Sequence, residues 1–179
     1  MSPAIDCRVA LLLADYVAID AIGKINVVGG GVAICPLSPQ GLTAPLHLLV
    51  TIDVARQHVG TEFPICIELR RLADDSVVDV PTDPTGRREA LRIQQMVSPE
   101  APVIEGRPVQ DQNLPARLQF AVAFATGLPL PPGQVYAFTV EVDSQRRPEW
   151  SYAFVVPARP SGPVFGGPAG PAGIPGIRT

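Results

Sequence analysis

Catalytic side chains are scarce in this 179-residue chain, which carries two histidines, one tryptophan, three cysteines and a single lysine, Lys24. His47 and His58 are its imidazole bases, so acid–base or nucleophile–base chemistry has little to draw on. No G-x-S-x-G occurs, and no G-x-x-x-x-G-K-[ST]. Gly23-Lys24 runs into Ile25, and no lysine follows Gly29-Gly30-Gly31, which argues against a nucleophile elbow and a phosphate cradle. His47 falls in the alternating stretch Leu46 to Val50 and His58 in an expected turn, so structural or surface roles are expected for both. Eleven residues apart and with no cysteine pair beside them, the two do not make a zinc pattern. Cys7, Cys35 and Cys66 are odd in number and lack a CxxC pair, which fits reduced thiols better than a disulfide framework. Cys66, between Ile65 and Ile67, reads as a small buried hydrophobe. The expectation is a protein that is not an enzyme and holds no cofactor and no metal.

Positive charge and long apolar runs are lacking too. A net charge of -3 and a pI near 5.3 leave no global field for phosphate backbones or anionic lipid, so nucleic acid is disfavoured as a partner. The apolar run Val9 to Ala14 follows Asp6 and Arg8 and is shorter than a signal-peptide core of about 7–15 residues. Nothing approaches the roughly 20 apolar residues of a helical membrane span. The chain reads as made and kept in a cytoplasm, with no membrane partner.

What the chain does have is apolar residues (46%), 21 prolines and 16 glycines, enough to bury a core while interrupting helices. A period of two dominates. Tyr136, Phe138, Val140 and Val142 alternate with Ala137, Thr139, Glu141 and Asp143; Trp150, Tyr152 and Phe154 repeat the pattern, as strands with one buried face do. Leu118, Phe120, Val122 and Phe124 alternate with Arg117, Gln119, Ala121 and Ala123, where small alanines permit a covered second face. Ile65, Ile67 and Leu69 alternate with Cys66, Glu68 and Arg70. Further strands are expected over 5–14, 24–34, 46–54, 76–80 and 89–95; only 87–96 could alternatively be helix. Short strands with Pro/Gly turns predict an all-β fold, an antiparallel β-sandwich of immunoglobulin-like or C2-like type. Tyr136, just after Pro131-Pro132-Gly133, resembles a tyrosine corner, whose hydroxyl bonds back to corner backbone. The triple glycine inside a β-rich stretch predicts a bulge or sharp bend.

Two charge patterns could bind something. Asp74, Asp75, Asp79 and Asp83 cluster without the EF-hand order of ligands, so solvated turns are favoured over a calcium cage. The doublets Arg70-Arg71, Arg87-Arg88 and Arg146-Arg147 lie near expected strand ends. Gathered on one surface they could meet phosphate or an acidic partner; otherwise they keep turns soluble and sheet edges unattractive.

Residues 97–116 form a long loop, beyond the roughly 12–15 residues of ordinary connections. Residues 158–179 hold 11 Pro or Gly among 22, ending in four collagen-type triplets. They read as an extended polyproline-like arm, dividing the chain into a sandwich domain (1–157) and a C-terminal arm (158–179). Phe165, Ile174 and Ile177 are the arm's candidate apolar anchors, with Arg178 a further candidate contact.

The stretch Ala14 to Gly29, with Ala14-Asp15-Tyr16, then Asp20-Ala21-Ile22-Gly23-Lys24-Ile25-Asn26-Val27-Val28-Gly29, resembles the opening of a family of uncharacterised bacterial and phage proteins. Its members read A-D-Y, a few residues, D-x-x-G-K-x-N, two apolar residues and G. The likeness continues loosely over residues 5–156 and implies a compact, β-sandwich domain with no activity or catalytic residues to carry over. Physically, Asp20 to Lys24 reads as a hairpin turn, across which Asp15 and Asn26 could bond. Few catalytic groups and a terminal arm together point to a structural or interaction protein with protein partners, in a larger symmetric assembly or a homo-oligomer. The concrete expectation is a phage virion component, a head decoration, minor capsid or tail protein. The alternative is a bacterial cytoplasmic module binding a small ligand, calcium or a protein.

Overall fold

A computed structural model describes residues 5–81, 86–101, 103–104, 107–108 and 114–158. Among them the chain forms β1 (Cys7–Ala14), β2 (Tyr16–Ile19), β3 (Ile25–Val28), β4 (Leu46–Val54), a 3-10 turn (Arg56–His58) and β5 (Phe63–Arg71). Then come β6 (Ser76–Val77), β7 (Asp79–Pro81), β8 (Arg88–Ala90), β9 (Arg92–Val97), β10 (Val103–Ile104) and β11 (Arg107–Pro108). The last are β12 (Ala116–Phe124), β13 (Gln134–Val142) and β14 (Gln145–Val156). No described helix is long and apolar enough to cross a membrane.

The fold is an all-β antiparallel sandwich. One sheet has the order β1-β4-β12; the other runs β14-β13-β5-β6, with β9 pairing β5 beside β6. Period-two alternation sends Leu48, Val50, Ile52 and Val54 of β4 inward against Ile65, Ile67 and Leu69 of β5 and Phe138, Val140 and Val142 of β13, all in one buried cluster. Phe138 stacks on Phe154 at 5.8 Å and on Phe124 at 5.4 Å, offset aromatic contacts that add to simple burial. Trp150 is buried, and the Arg147 guanidinium lies 4.7 Å over its ring.

Local chemistry explains several turns. Tyr136 donates its hydroxyl to the Pro131 carbonyl at 3.0 Å, the corner expected from sequence. The Asp20 carboxylate accepts the N–H groups of Ile22 and Lys24 at 3.0 and 2.8 Å, closing the turn between β2 and β3 in the way aspartate favours. β13 and β14 meet in a two-residue turn, Asp143-Ser144, with both φ positive at 47° and 61°, as a type I′ hairpin requires. The triple glycine marks a bend. Gly29 has φ +62°, and a Cβ there would fall 2.0 Å from Asp15 Oδ2.

Several expectations need correction. The strand expected over 89–95 is present as β8 and β9, and the helical alternative over 87–96 is not adopted, because Ile93 and Val97 turn inward while Arg92, Gln94 and Met96 face out along β5. The 76–80 strand is two pieces, β6 and β7. The long loop at 97–116 carries the minimal hairpin β10–β11. β14 begins at Gln145, earlier than the aromatic alternation suggests. The pairing register shifts between Thr139 and Glu141, and that irregularity accommodates Pro148, which a regular ladder would reject. Asn26 lies opposite Ala18 in the register, and Asp15 instead packs against Gly29.

The hairpin β2–β3 lies over the outer face of the first sheet. Ala14, Val17 and Leu49 form a second small core with Leu12, Ile19 and Ile25 around it. Ala121 and Ala123 of β12 share that outer face with Leu49 and His47 but are exposed, so the covered second face expected at these alanines is not found there: the cover lies over Leu49 of β4 instead. Replacing Tyr136 by Phe removes a buried donor and strands the Pro131 carbonyl. The expected loss is about 1 kcal/mol, read as a lower urea midpoint at unchanged slope; an unshifted midpoint would mean the corner bond contributes nothing.

Candidate functional site

The acidic and basic clusters of the sequence meet each other. In the turn between β5 and β6, Arg71 Nε and Nη2 donate to Asp74 at 3.0 and 2.6 Å, and the Ser76 hydroxyl donates to Asp74 at 2.7 Å. Arg70 donates to the Asp75 carbonyl at 2.6 Å, and Arg146, brought in from β14, bonds the Asp75 carboxylate at 2.8 Å. On the outer face of the second sheet, Glu68 accepts from Arg70 Nε at 2.8 Å and Arg92 Nε at 2.7 Å and is buried beneath them.

Electrostatics follow the geometry. The Arg71 hydrogen bonds hold the Asp74 carboxyl well below the usual carboxylate range, and the bond from Arg146 lowers that of Asp75. For Glu68, burial pushes the pKa up, but hydrogen bonds from Arg70 and Arg92 and their charges outweigh it, leaving the value lowered. Such carboxylates are engaged by guanidinium groups rather than arranged around a cation, and the same pairs occupy the arginines that phosphate would need. Asp79 lies in β7, where its carbonyl accepts from Arg88 at 2.5 Å; Asp83 lies outside the described residues. Among those residues no group of three or more His, Cys, Asp or Glu is placed to hold a metal ion. Arg71 and Arg88 do share a notch of about 210 Å³ with Ser76, Asp79, Pro131 and Tyr136, whereas Arg147 is turned onto Trp150 and Arg87 pairs with Glu89 at 2.8 Å.

The two imidazoles stand at opposite ends of β4. His47 Nδ1 lies 3.0 Å from the Asp15 carbonyl oxygen, an acceptor, so Nδ1 carries the hydrogen. Its ring meets Tyr16 edge-on at 5.2 Å. Buried His58 uses Nε2 to accept the Asp6 N–H at 3.2 Å. It lines a cleft of about 610 Å³ with Ile5, Gln57, Thr61, Glu62, Phe63 and Asp143. That cleft has an imidazole and two carboxyl groups, yet no Ser or Cys among its described lining. The thiols are buried elsewhere: burial pushes Cys35 up to about 11, with Asp15 adding to it, and likewise raises Cys7 and Cys66. At neutral pH they stay protonated and weakly nucleophilic.

The remaining feature is the edge of β12. β12 pairs β4 on one side, and among the described residues no strand pairs its other side. Its inward row, Leu118, Phe120, Val122 and Phe124, packs on the core but is only partly buried, in contrast to the fully buried row of β4. The start of the strand borders a cleft of about 570 Å³ lined by Ile22, Glu100, Val103, Arg117, Leu118 and Gln119. On the nearby hairpin, Tyr16 and Val28 are cross-strand partners on the outward face and Ile22 stands 88% exposed at the tip.

No family model, curated protein or solved structure matches this chain. Its residues therefore carry the functional argument alone. Phe165, Ile174, Ile177 and Arg178, the candidate contacts of the arm, lie outside the described residues. The β12 edge is a candidate that the alternation did not single out; the available signal was a nine-residue strand with neither lysine nor proline in it, the usual guards of an edge.

Glu68 gives a pH test. A carboxyl lowered in the folded state contributes stability that is fully present above its unfolded value, about 4.3, and is lost as pH falls through the folded value. Glu68→Gln should cost about 1 kcal/mol at pH 7, with the gap to the parent narrowing below about pH 4. Parallel stability curves for the two proteins across the acid range would contradict the assignment.

Proposed function

We propose that this protein is a non-enzymatic structural and interaction component that docks on a larger assembly through its sandwich and its C-terminal arm. In its most concrete form it is a phage virion protein, a head decoration, minor capsid or tail component, made in the bacterial cytoplasm. The observation that carries this reading is the β12 edge, which no strand among the described residues pairs and which borders a half-exposed apolar row. Exposed edges of this kind are templates for association. The engagement of Glu68, Asp74 and Asp75 by arginines supports it from the other direction, since the acidic groups that metal binding would use are already paired. In the arm, Phe165, Ile174 and Ile177 are the side chains able to bury appreciable apolar area, each contributing roughly 1.5–3 kcal/mol if fully covered. The resemblance of Ala14 to Gly29 to bacterial and phage proteins is in keeping with that setting.

A second reading, a cytoplasmic binding module, is favoured by the cleft of about 610 Å³ beside His58, whose Glu62 and Asp143 suit a small cationic ligand.

Quantitative mass spectrometry of large particles purified from the native source discriminates the two. A fixed proportion of this chain to the dominant shell protein is expected, and deletion of residues 160–179 should leave the domain folded while lowering that proportion. Absence from particles sinks the virion reading; unchanged incorporation of the truncated chain removes the arm from the docking mechanism.

A further inference from the structure

We infer that β12 pairs edge to edge with β12 of a second copy of this chain, antiparallel about a two-fold axis at Phe120, so that two three-stranded sheets become one of six strands. This deepens the docking reading and rests on it.

The backbone is set up for such pairing. The Ala55 N–H donates to the Asp6 carbonyl at 3.0 Å, and the Leu13 carbonyl turns away from β4 to accept from Gly31 and Val32 at 2.9 and 3.1 Å. In an antiparallel ladder the hydrogen-bonded pairs alternate. With Asp6 and Ala55 as one such pair, Arg8–Asp53, Ala10–Thr51, Leu12–Leu49 and Ala14–His47 are the others between β1 and β4. His47, Leu49, Thr51 and Asp53 thus bond β1, and Leu48, Val50, Ile52 and Val54 bond β12 through Val122, Phe120, Leu118 and Ala116. It follows that Arg117, Gln119, Ala121 and Ala123 aim their N–H and carbonyl groups outward. Four successive residues of that parity present a complete ladder edge.

Among the described residues the sandwich also lacks a strand at this place, the segment of Glu100 and Val103 bordering only the start of β12. A three-stranded sheet faces a larger one, and β1 runs beside β14, which leaves the shortfall at β12. Opposite, the edge of β14 is closed by the segment at Ala33–Cys35, whose Cys35 N–H donates to Val155 at 2.8 Å and whose Ala33 carbonyl accepts from Val155 at 2.9 Å. The partly buried Leu118, Phe120 and Val122 lack an apolar neighbour on the side away from β4, among the described residues.

A second copy fits the slot in both sequence and length. Pairing about Phe120 uses the whole of Ala116–Phe124 and sets Leu118 opposite Val122, Gln119 opposite Ala121 and Arg117 opposite Ala123 of the second copy. Apolar faces apolar, and no like charges meet, because the strand's one charged side chain faces an alanine and is already neutralised by Asp53 at 2.6 Å. Self-complementarity of this kind is what a two-fold interface demands. The C-terminal arm is a poorer occupant. Proline has no N–H to give a ladder, and from Pro160 onward no stretch of the arm free of proline exceeds four residues.

Sedimentation velocity of the full chain across a wide concentration range tests the pairing. The parent should form a dimer that dissociates on dilution. Ala121→Pro removes one outward N–H and spares the bonds to β4, a change edge strands tolerate, and should leave a monomer. Ala123→Lys sets a lysine opposite Arg117 of the second copy at both ends of the interface and should weaken association roughly tenfold. Ala123→Glu, at the same exposed position, should associate at least as tightly as the parent and become sensitive to salt. If Ala121→Pro fails to fold by circular dichroism, the opposed Lys and Glu effects decide.

A parent that stays monomeric throughout, or variants that all keep the parent's dimer, would overturn the pairing. So would loss of the dimer on deleting residues 160–179, which would assign self-association to the arm. A monomer that still enters particles in fixed proportion rejects the pairing and keeps the docking role; a β12-dependent dimer absent from particles does the reverse.

Discussion

Leu48, Val50, Ile52 and Val54 point from β4 into the sandwich, while Leu49 points the opposite way and is buried as well. A strand covered on both faces must have something on each, and much of this fold can be read as meeting that demand. The second sheet supplies the inner cover. The outer cover is the hairpin β2–β3, whose Val17, Ile19 and Ile25 pack with Leu12, Ala14 and Leu49. The bend that returns the chain after β3 needs glycine, since Asp15 occupies the space any side chain at Gly29 would take. The stretch Ala14 to Gly29 thus has a structural task that accounts for its residues: a corner, a turn closed by Asp20, and a bend without Cβ atoms.

Charge in this molecule is spent locally. Arg70 bridges Glu68 and the Asp75 turn, Arg146 reaches the same turn from another strand, and Arg117 joins Asp53 across β12 and β4. Exposed pairs such as Arg71–Asp74 contribute little to stability. Their consequence is rather that the most concentrated acidic and basic stretches cancel each other over a few ångströms. The histidines are similarly committed, one to the Asp15 carbonyl and one to the Asp6 N–H. Exposed apolar side chains remain beside these committed groups, among them Tyr16, Ile22 and Val28 of the β2–β3 hairpin.

Elements that bury one face are legible in the sequence, because period-two alternation is the direct imprint of one-sided burial; β12 and β13 show it plainly. The corner at Tyr136 and the turn at Asp20 are legible for a different reason, a side chain bonding backbone close by in sequence. Legibility fails where the determining contact is remote. Nothing local to Arg146 announces Asp75, 71 residues away, and the two clusters therefore look like separate candidate sites until the sheet brings them together. It fails also where regularity is broken. Pro148 and the arginines before it look like a turn, yet they continue β14 because the ladder is irregular opposite them. Short pieces such as β8 carry too few residues for any period to show.

The state of a sheet edge is the least legible feature of all, since it depends on what is missing beside a strand and not on the strand. Alternation in β12 is the same whether one neighbour or two flank it. The difference lies in burial: an inner row flanked on both sides is sealed, as in β4, whereas the row of β12 is half open. A sandwich can tolerate such an edge by breaking it with proline, lysine or a bulge, and β12 has none of these within Ala116–Phe124. An unguarded ladder edge beside an unsealed core promotes uncontrolled stacking unless one specific partner occupies it. In the proposed pairing, the self-matching row around Phe120 would supply that partner from a second copy. A closed two-fold pair also consumes both edges at once, so association stops at two copies and the outer faces stay available for a larger assembly.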